Sequence, residues 1–108
     1  MDTEIQLAGR DRLDTIVADE LAGESIDQGP MFSTVGWRRG GKVFAFVGRS
    51  GELMVKLPEA RVAELIGNDA GMPMTVGTRT MREWVRIPVD AEWASIVVEA
   101  HAFGAAAS

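Results

Sequence analysis

The sequence predicts one two-layer α+β domain over residues 1–108, its mostly antiparallel five-stranded sheet laid out in the order α-β-β-β-α-β-β-α. Three observations predict it. Residues 31–57, MFSTVGWRRGGKVFAFVGRSGELMVKL, divide into three short apolar-rich runs around two glycine turns. Apolar residues at helical spacing occur before this stretch, after it and near the end of the chain. The chain has 108 residues and no cysteine, which is long enough to bury a core without disulfides or metal.

In chain order, residues 1–9 are weakly patterned and read as a frayed lead-in. Leu13, Ile16, Val17 and Leu21 mark one face of a helix over residues 10–21, with Gly23 as its stop. Residues 23–30, GESIDQGP, read as a polar loop, because Gly29-Pro30 forbids a helix there. In the three-strand stretch, Gly40-Gly41 suits a two-residue primed turn that places Arg39 opposite Lys42. Ser50-Gly51 as a second two-residue turn places Arg49 opposite Glu52. Together these turns predict one buried face of Val35, Trp37, Phe44, Phe46, Leu53, Val55 and Leu57. The opposite face then carries Thr34, Gly36, Arg38, Val43, Ala45, Val47, Met54 and Lys56, apolar enough to need a cover or a partner.

Pro58 opens a short helix with Val62, Leu65 and Ile66 inward, ending at Gly67-Asn68-Asp69. A short strand follows from Met74 to Thr78, then a turn or bulge at Arg79-Thr80 and a last strand from Met81 to Pro88. In that strand Val85 and Ile87 face the core, opposite Arg82, Trp84 and Arg86. Asp90 caps a final helix with an apolar face of Trp93, Ile96, Val97, Ala100 and Phe103, and residues 104–108 fray.

Charge and composition narrow the function. The net charge is −5, but it is unevenly placed: residues 1–30 carry −6 and residues 31–108 carry +1. The sheet region can therefore hold a basic patch within an acidic protein. Residues 1–14 are acidic and lack an apolar run, so no signal peptide is expected, and no apolar stretch reaches the length of a membrane span. With no cysteine and no signal, the expected location is cytoplasmic.

Catalytic and metal-binding patterns are weak. Gly36, Gly41 and Lys42 fall at GxxxxGK spacing, but Val43 stands where a P-loop needs Ser or Thr, and Lys42 begins a strand. The segment is a hairpin. His101 is the only histidine, expected on the last helix at the edge of its apolar face, as a boundary or surface residue; no second His or Cys completes a transition-metal site. No G-x-S-x-G elbow occurs, and Asp19-Glu20 and Asp90/Glu92 suit solvated helix surfaces. No cofactor is expected. Arg38, Arg39 and Lys42 surround the first hairpin, while Arg79, Arg82 and Arg86 flank Trp84. Arginines beside an exposed tryptophan suit a nucleic-acid base or an acidic partner. Charges on strands also discourage edge-to-edge aggregation, so both readings stay open.

Met31-Phe32, Gly36, Gly41-Lys42-Val43-Phe44-Ala45, Val55-Lys56-Leu57-Pro58, Met81-Arg82-Glu83-Trp84-Val85 and Pro88 together resemble the N-terminal domain of TfoX/Sxy-type proteins. The ordered set runs from roughly residue 10 to 103, departing from the family pattern at Ser33 and Thr80. The chain is more distantly similar to MmcQ/YjbR-type proteins. The resemblance implies a secretion-chaperone-like α+β domain and a link to regulators of competence gene expression. It implies no catalytic residue. The expectation is a non-enzymatic interaction module acting through a protein partner or as a homodimer. The alternatives are direct nucleic-acid binding through the basic hairpin and the Arg/Trp strand, or binding of a small anionic ligand by Trp84 and Arg82. No membrane or metal partner is expected. The candidate surface is Arg38, Arg39, Lys42, Val43, Val47, Met54, Arg79, Arg82, Trp84 and Arg86.

Overall fold

In the computed structural model, which describes residues 4–31 and 34–107 with side chains up to Gly104, three helices and six strands follow the order α-β-β-β-β-α-β-β-α. The α+β class is as predicted; the strand count is corrected from five to six. Residues 1–3, Phe32, Ser33 and Ser108 lie outside the described residues, and with them part of the lead-in, the Phe32–Ser33 part of the family-like pattern and the last residue of the tail.

Helix α1 (Glu4–Glu20) begins well before the predicted position 10. Its buried stripe of Gln6, Gly9, Leu13 and Val17 extends the apolar face backwards through one polar residue and one glycine. Buried Gln6 is accommodated because its Nε2 donates to the Val47 carbonyl at 3.2 Å. Gly9 lets the helix approach β3 closely, since a Cβ there would lie 2.8 Å from Val47 Cγ1.

The predicted loop over residues 23–30 is instead mostly a strand, β1 (Ile26–Met31), paired antiparallel with β2 (Thr34–Arg39) from Ile26 opposite Arg39 to Met31 opposite Thr34. Gly29-Pro30 stops a helix, but an edge strand tolerates proline because one side of its ladder needs no donor. Strands β3 (Lys42–Val47), β4 (Leu53–Lys56), β5 (Met72–Val76) and β6 (Arg79–Ile87) complete an antiparallel sheet in the order β1-β2-β3-β4-β6-β5.

Two local events move the register from the predicted one. The Gly40-Gly41 turn forms as expected, with both φ values positive and Arg39 opposite Lys42. Arg38 then faces Val43 while Trp37 faces Ala45, so Phe44 is the extra residue of a bulge. The second turn spans three residues: the Gly48 N–H donates to the Glu52 carbonyl, and Gly51 sits at φ 82°. Val47 therefore pairs with Leu53, and Phe46 with Met54. Phe46 turns to the outer face, and Ala45 and Val47 turn to the core, reversing the prediction for all three.

Helices α1 and α3 (Ala94–Ala107) pack on one face of the sheet, and α2 (Glu59–Gly67) adds Val62 and Leu65 to the same core. Leu53, Val55, Val85, Trp93, Val97 and Ala100 are essentially inaccessible there. Helix α3 starts at Ala94, later than Asp90 predicts; the Glu92 carboxylate accepts from the Ser95 N–H at 3.1 Å and from the Ser95 hydroxyl at 2.7 Å. These hydrogen bonds hold Glu92 below the usual carboxylate range. The helix continues to Ala107, past the predicted onset of fraying at 104. Residues 77–78 make the β5–β6 turn, two positions before the predicted Arg79-Thr80.

Candidate functional site

The face of the sheet turned away from α1 and α3 carries its own apolar cluster. Phe46 from β3, Met74 from β5 and Trp84 from β6 form its centre, with Met31, Val43, Met54 and Met81 half-buried around them. The rings of Phe46 and Trp84 meet edge to face, centroids 5.4 Å apart. Trp84 is 7% exposed, which corrects its reading as an exposed stacking residue.

The β5–β6 ribbon gathers these side chains through a large irregularity. Pro73 faces Val85 and Thr75 faces Thr80, so two steps along β5 match five along β6. Extra residues of this kind bend a strand. Met81, of opposite parity to Trp84, joins the same cluster as a result.

Two cavities flank the Phe46–Trp84 pair. One, about 400 Å³, is lined by Gln6, Thr34, Phe46, Met54, Met74 and Arg86 among others. Beside it the Thr34 hydroxyl is shut off from solvent and has no hydrogen-bond partner among the described residues. The other, about 670 Å³, lies between Lys56, Arg79, Met81, Arg82 and Trp84, with Glu59 at the start of α2 on its border.

The predicted surface residues do not stay together. Val43, Met54, Trp84 and Arg86 belong to the outer face or its cavities, with Arg79 and Arg82 at its β6 end. Arg38 also lies there, folded over Gly29, where a Cβ would fall 2.7 Å from Arg38 Cδ. Its guanidinium forks onto Asp27 directly across the ladder, at 3.0 Å and 2.6 Å. That hydrogen bond holds the Asp27 carboxyl below its usual range. Arg86 donates to the Pro73 carbonyl at 2.9 Å and to Glu52 at 3.3 Å, while Arg82 reaches Glu59 only at 3.9 Å.

Val47 is corrected to the helix-side core, fully buried. Arg39 also leaves the predicted surface: its Nη1 lies 3.2 Å from His101 Nε2 and donates to the His101 carbonyl at 3.0 Å. Lys42 sits at the end of α3, beside Phe103 and Gly104. His101 itself is buried, correcting its predicted boundary position, and meets the Phe44 ring edge to face at 5.5 Å with Glu24 3.5 Å away. Burial, then the nearby Arg39 charge, lowers its pKa, with Glu24 opposing. Its spacing four residues after Val97 was the available signal of an inward position.

Among the described residues no group of three or more His, Asp or Glu is arranged to hold a metal ion, and no helix is long and apolar enough to cross a membrane. The class defined by the fold is thus an α+β protein whose open antiparallel sheet has helices on one face and a methionine-rich cluster on the other. No protein-family model, curated protein or solved structure matches the chain.

Proposed function

We propose that this protein is a small, non-enzymatic interaction module whose docking surface is the open face of the sheet. The observation that carries this reading is the ring of half-buried Met31, Val43, Met54 and Met81 around a packed Phe46–Met74–Trp84 centre. A purely structural sheet face either lies under another layer or is polar. Methionine is unbranched and polarizable, and it suits surfaces that must adapt to a partner. The lack of cysteine suits a cytoplasmic setting, and the resemblance to TfoX/Sxy-type N-terminal domains adds a role in transcriptional or competence-type regulation, exerted through a protein partner.

The edges of the sheet support a face-on mode. Both edge strands contain a proline, Pro30 in β1 and Pro73 in β5, which interrupts the donor row that strand addition requires. Direct nucleic-acid binding loses its stacking residue, because Trp84 packs on Phe46. The test is quantitative affinity capture from the host with wild type, Met54→Asp and, as a control on α1, Asp19→Ala. A protein retained by wild type and Asp19→Ala but lost from Met54→Asp supports the reading. An unchanged set on Met54→Asp removes the face from consideration.

A further inference from the structure

Resting on that reading, we propose that the occupant of the open face is an acidic segment of another protein, anchored by apolar side chains in the two cavities beside Phe46 and Trp84. Charge points to the sign. The molecule carries −5 overall, yet the cavity walls present Arg86 on one side and Lys56, Arg79 and Arg82 on the other, against Glu59 and Glu83. Counting Glu52, which holds Arg86, the cations still outnumber the carboxylates. An acidic protein that places four of its eleven cations but only three of its sixteen carboxylates around the clefts beside one apolar cluster attracts an oppositely charged apolar ligand more than a basic one.

Shape points to the anchors. One cavity offers Phe46, Met54 and Met74, and the other Met81 and Trp84, as sockets for bulky apolar side chains. Apolar anchors that become buried in such clefts on binding carry most of the energy of an interface. A second copy is the poorer occupant, because face against face brings like cations together. The molecule is 34 Å across its longest axis, and an extended segment of about ten residues spans that distance.

The experiment measures fluorescence anisotropy of the full chain with two fluorescein-labelled peptides of about ten residues, a length that spans the face. One alternates glutamate with leucine and the other lysine with leucine; a thymidine oligonucleotide of matching length is the third probe. The glutamate peptide is expected to bind saturably, at least about tenfold tighter than the lysine peptide, with affinity falling as salt is added. The double variant Arg79→Glu/Arg82→Glu, altered at two exposed positions, is expected to lose that preference while melting near the wild type. Equal or tighter binding of the lysine peptide overturns the acidic occupant. If that binding also disappears in Met54→Asp, the docking face survives and only the sign is wrong. Binding of the oligonucleotide alone overturns both. No binding of either peptide overturns the acidic segment, leaving the docking face to the capture comparison.

Discussion

The Arg12 guanidinium lies 4.0 Å over the Trp93 ring and donates to the carbonyls of Val89 and Ala91, both at 2.6 Å. One side chain thereby ties α1 to the segment joining β6 and α3. Arg12→Met keeps the apolar stem but loses the cation–π contact and both hydrogen bonds, an expected cost of about 2–3 kcal/mol by urea denaturation. Arg12→Lys is expected to recover less than half, since an ammonium lacks the planar fork. His101 gives a pH dependence with a definite sign. Its folded pKa is depressed from the ordinary 6.5, so between the two values the unfolded chain binds more protons. The His101 contribution is therefore full above pH 6.5 and is lost as pH falls towards the folded value. Protonation would set a second cation against Arg39. Melting temperature followed downward from neutral pH should fall less steeply in His101→Gln than in the wild type.

At the level of elements, two turns set the sheet, and they differ in what they tolerate. Gly40 and Gly41 both have positive φ with open space around them, whereas Gly51 combines φ 82° with Ile5 Cγ2 and the Ile5 carbonyl crowding the place where a Cβ would stand. Gly40→Asn is expected to cost a few tenths of a kcal/mol, since asparagine accepts left-handed backbone. Gly51→Ala is expected to cost about 2 kcal/mol or more, from strain plus displacement of α1. Thermal unfolding of the two variants tests the contrast. The Gly40-Gly41 turn was legible because its chemistry is local. The three-residue loop around Gly51 was not, because Ser50-Gly51 suits either length until the packing of Val47 and Leu53 selects one. The bulge at Phe44 was equally hidden. It allows Phe44 to meet His101 while Ala45 and Val47 also face the helices, an advantage that exists only once α3 is in place. Strand β1 was missed for a related reason: Gly29-Pro30 breaks a helix but is harmless at a sheet edge, and edge position is a property of the whole sheet.

At the scale of the molecule, the sheet has two apolar faces with different status. Val47 and Met54 were both expected on the outer face, and the structure separates them. Val47→Asp buries an unpaired charge and should cost at least about 4 kcal/mol, a large part of an ordinary domain's stability. Met54→Asp alters a half-buried residue at the mouth of a cavity and should leave a cooperative transition with a loss of about 1–2 kcal/mol. Circular-dichroism melts distinguish them. The outer cluster also contributes to stability, since burial of Phe46 and Trp84 is worth about 2–3 kcal/mol each. Structure thus accounts for its centre, while the half-buried rim of methionines is what the docking proposal explains.

By itself the sequence determined the α+β class, the three helical stripes, the Gly40-Gly41 hairpin and the presence of a second apolar surface beside basic residues. These follow from short-range periodicity and turn chemistry, which neighbouring residues decide among themselves. Only the tertiary structure decided which residues form that surface. A bulge and a three-residue turn exchange Phe46 for Ala45 and Val47, and the β6 irregularity draws Met81 in beside a buried Trp84. Side chains alternate every residue along a strand, so each such event reverses faces downstream, and only packing against α1 and α3 determines where it occurs.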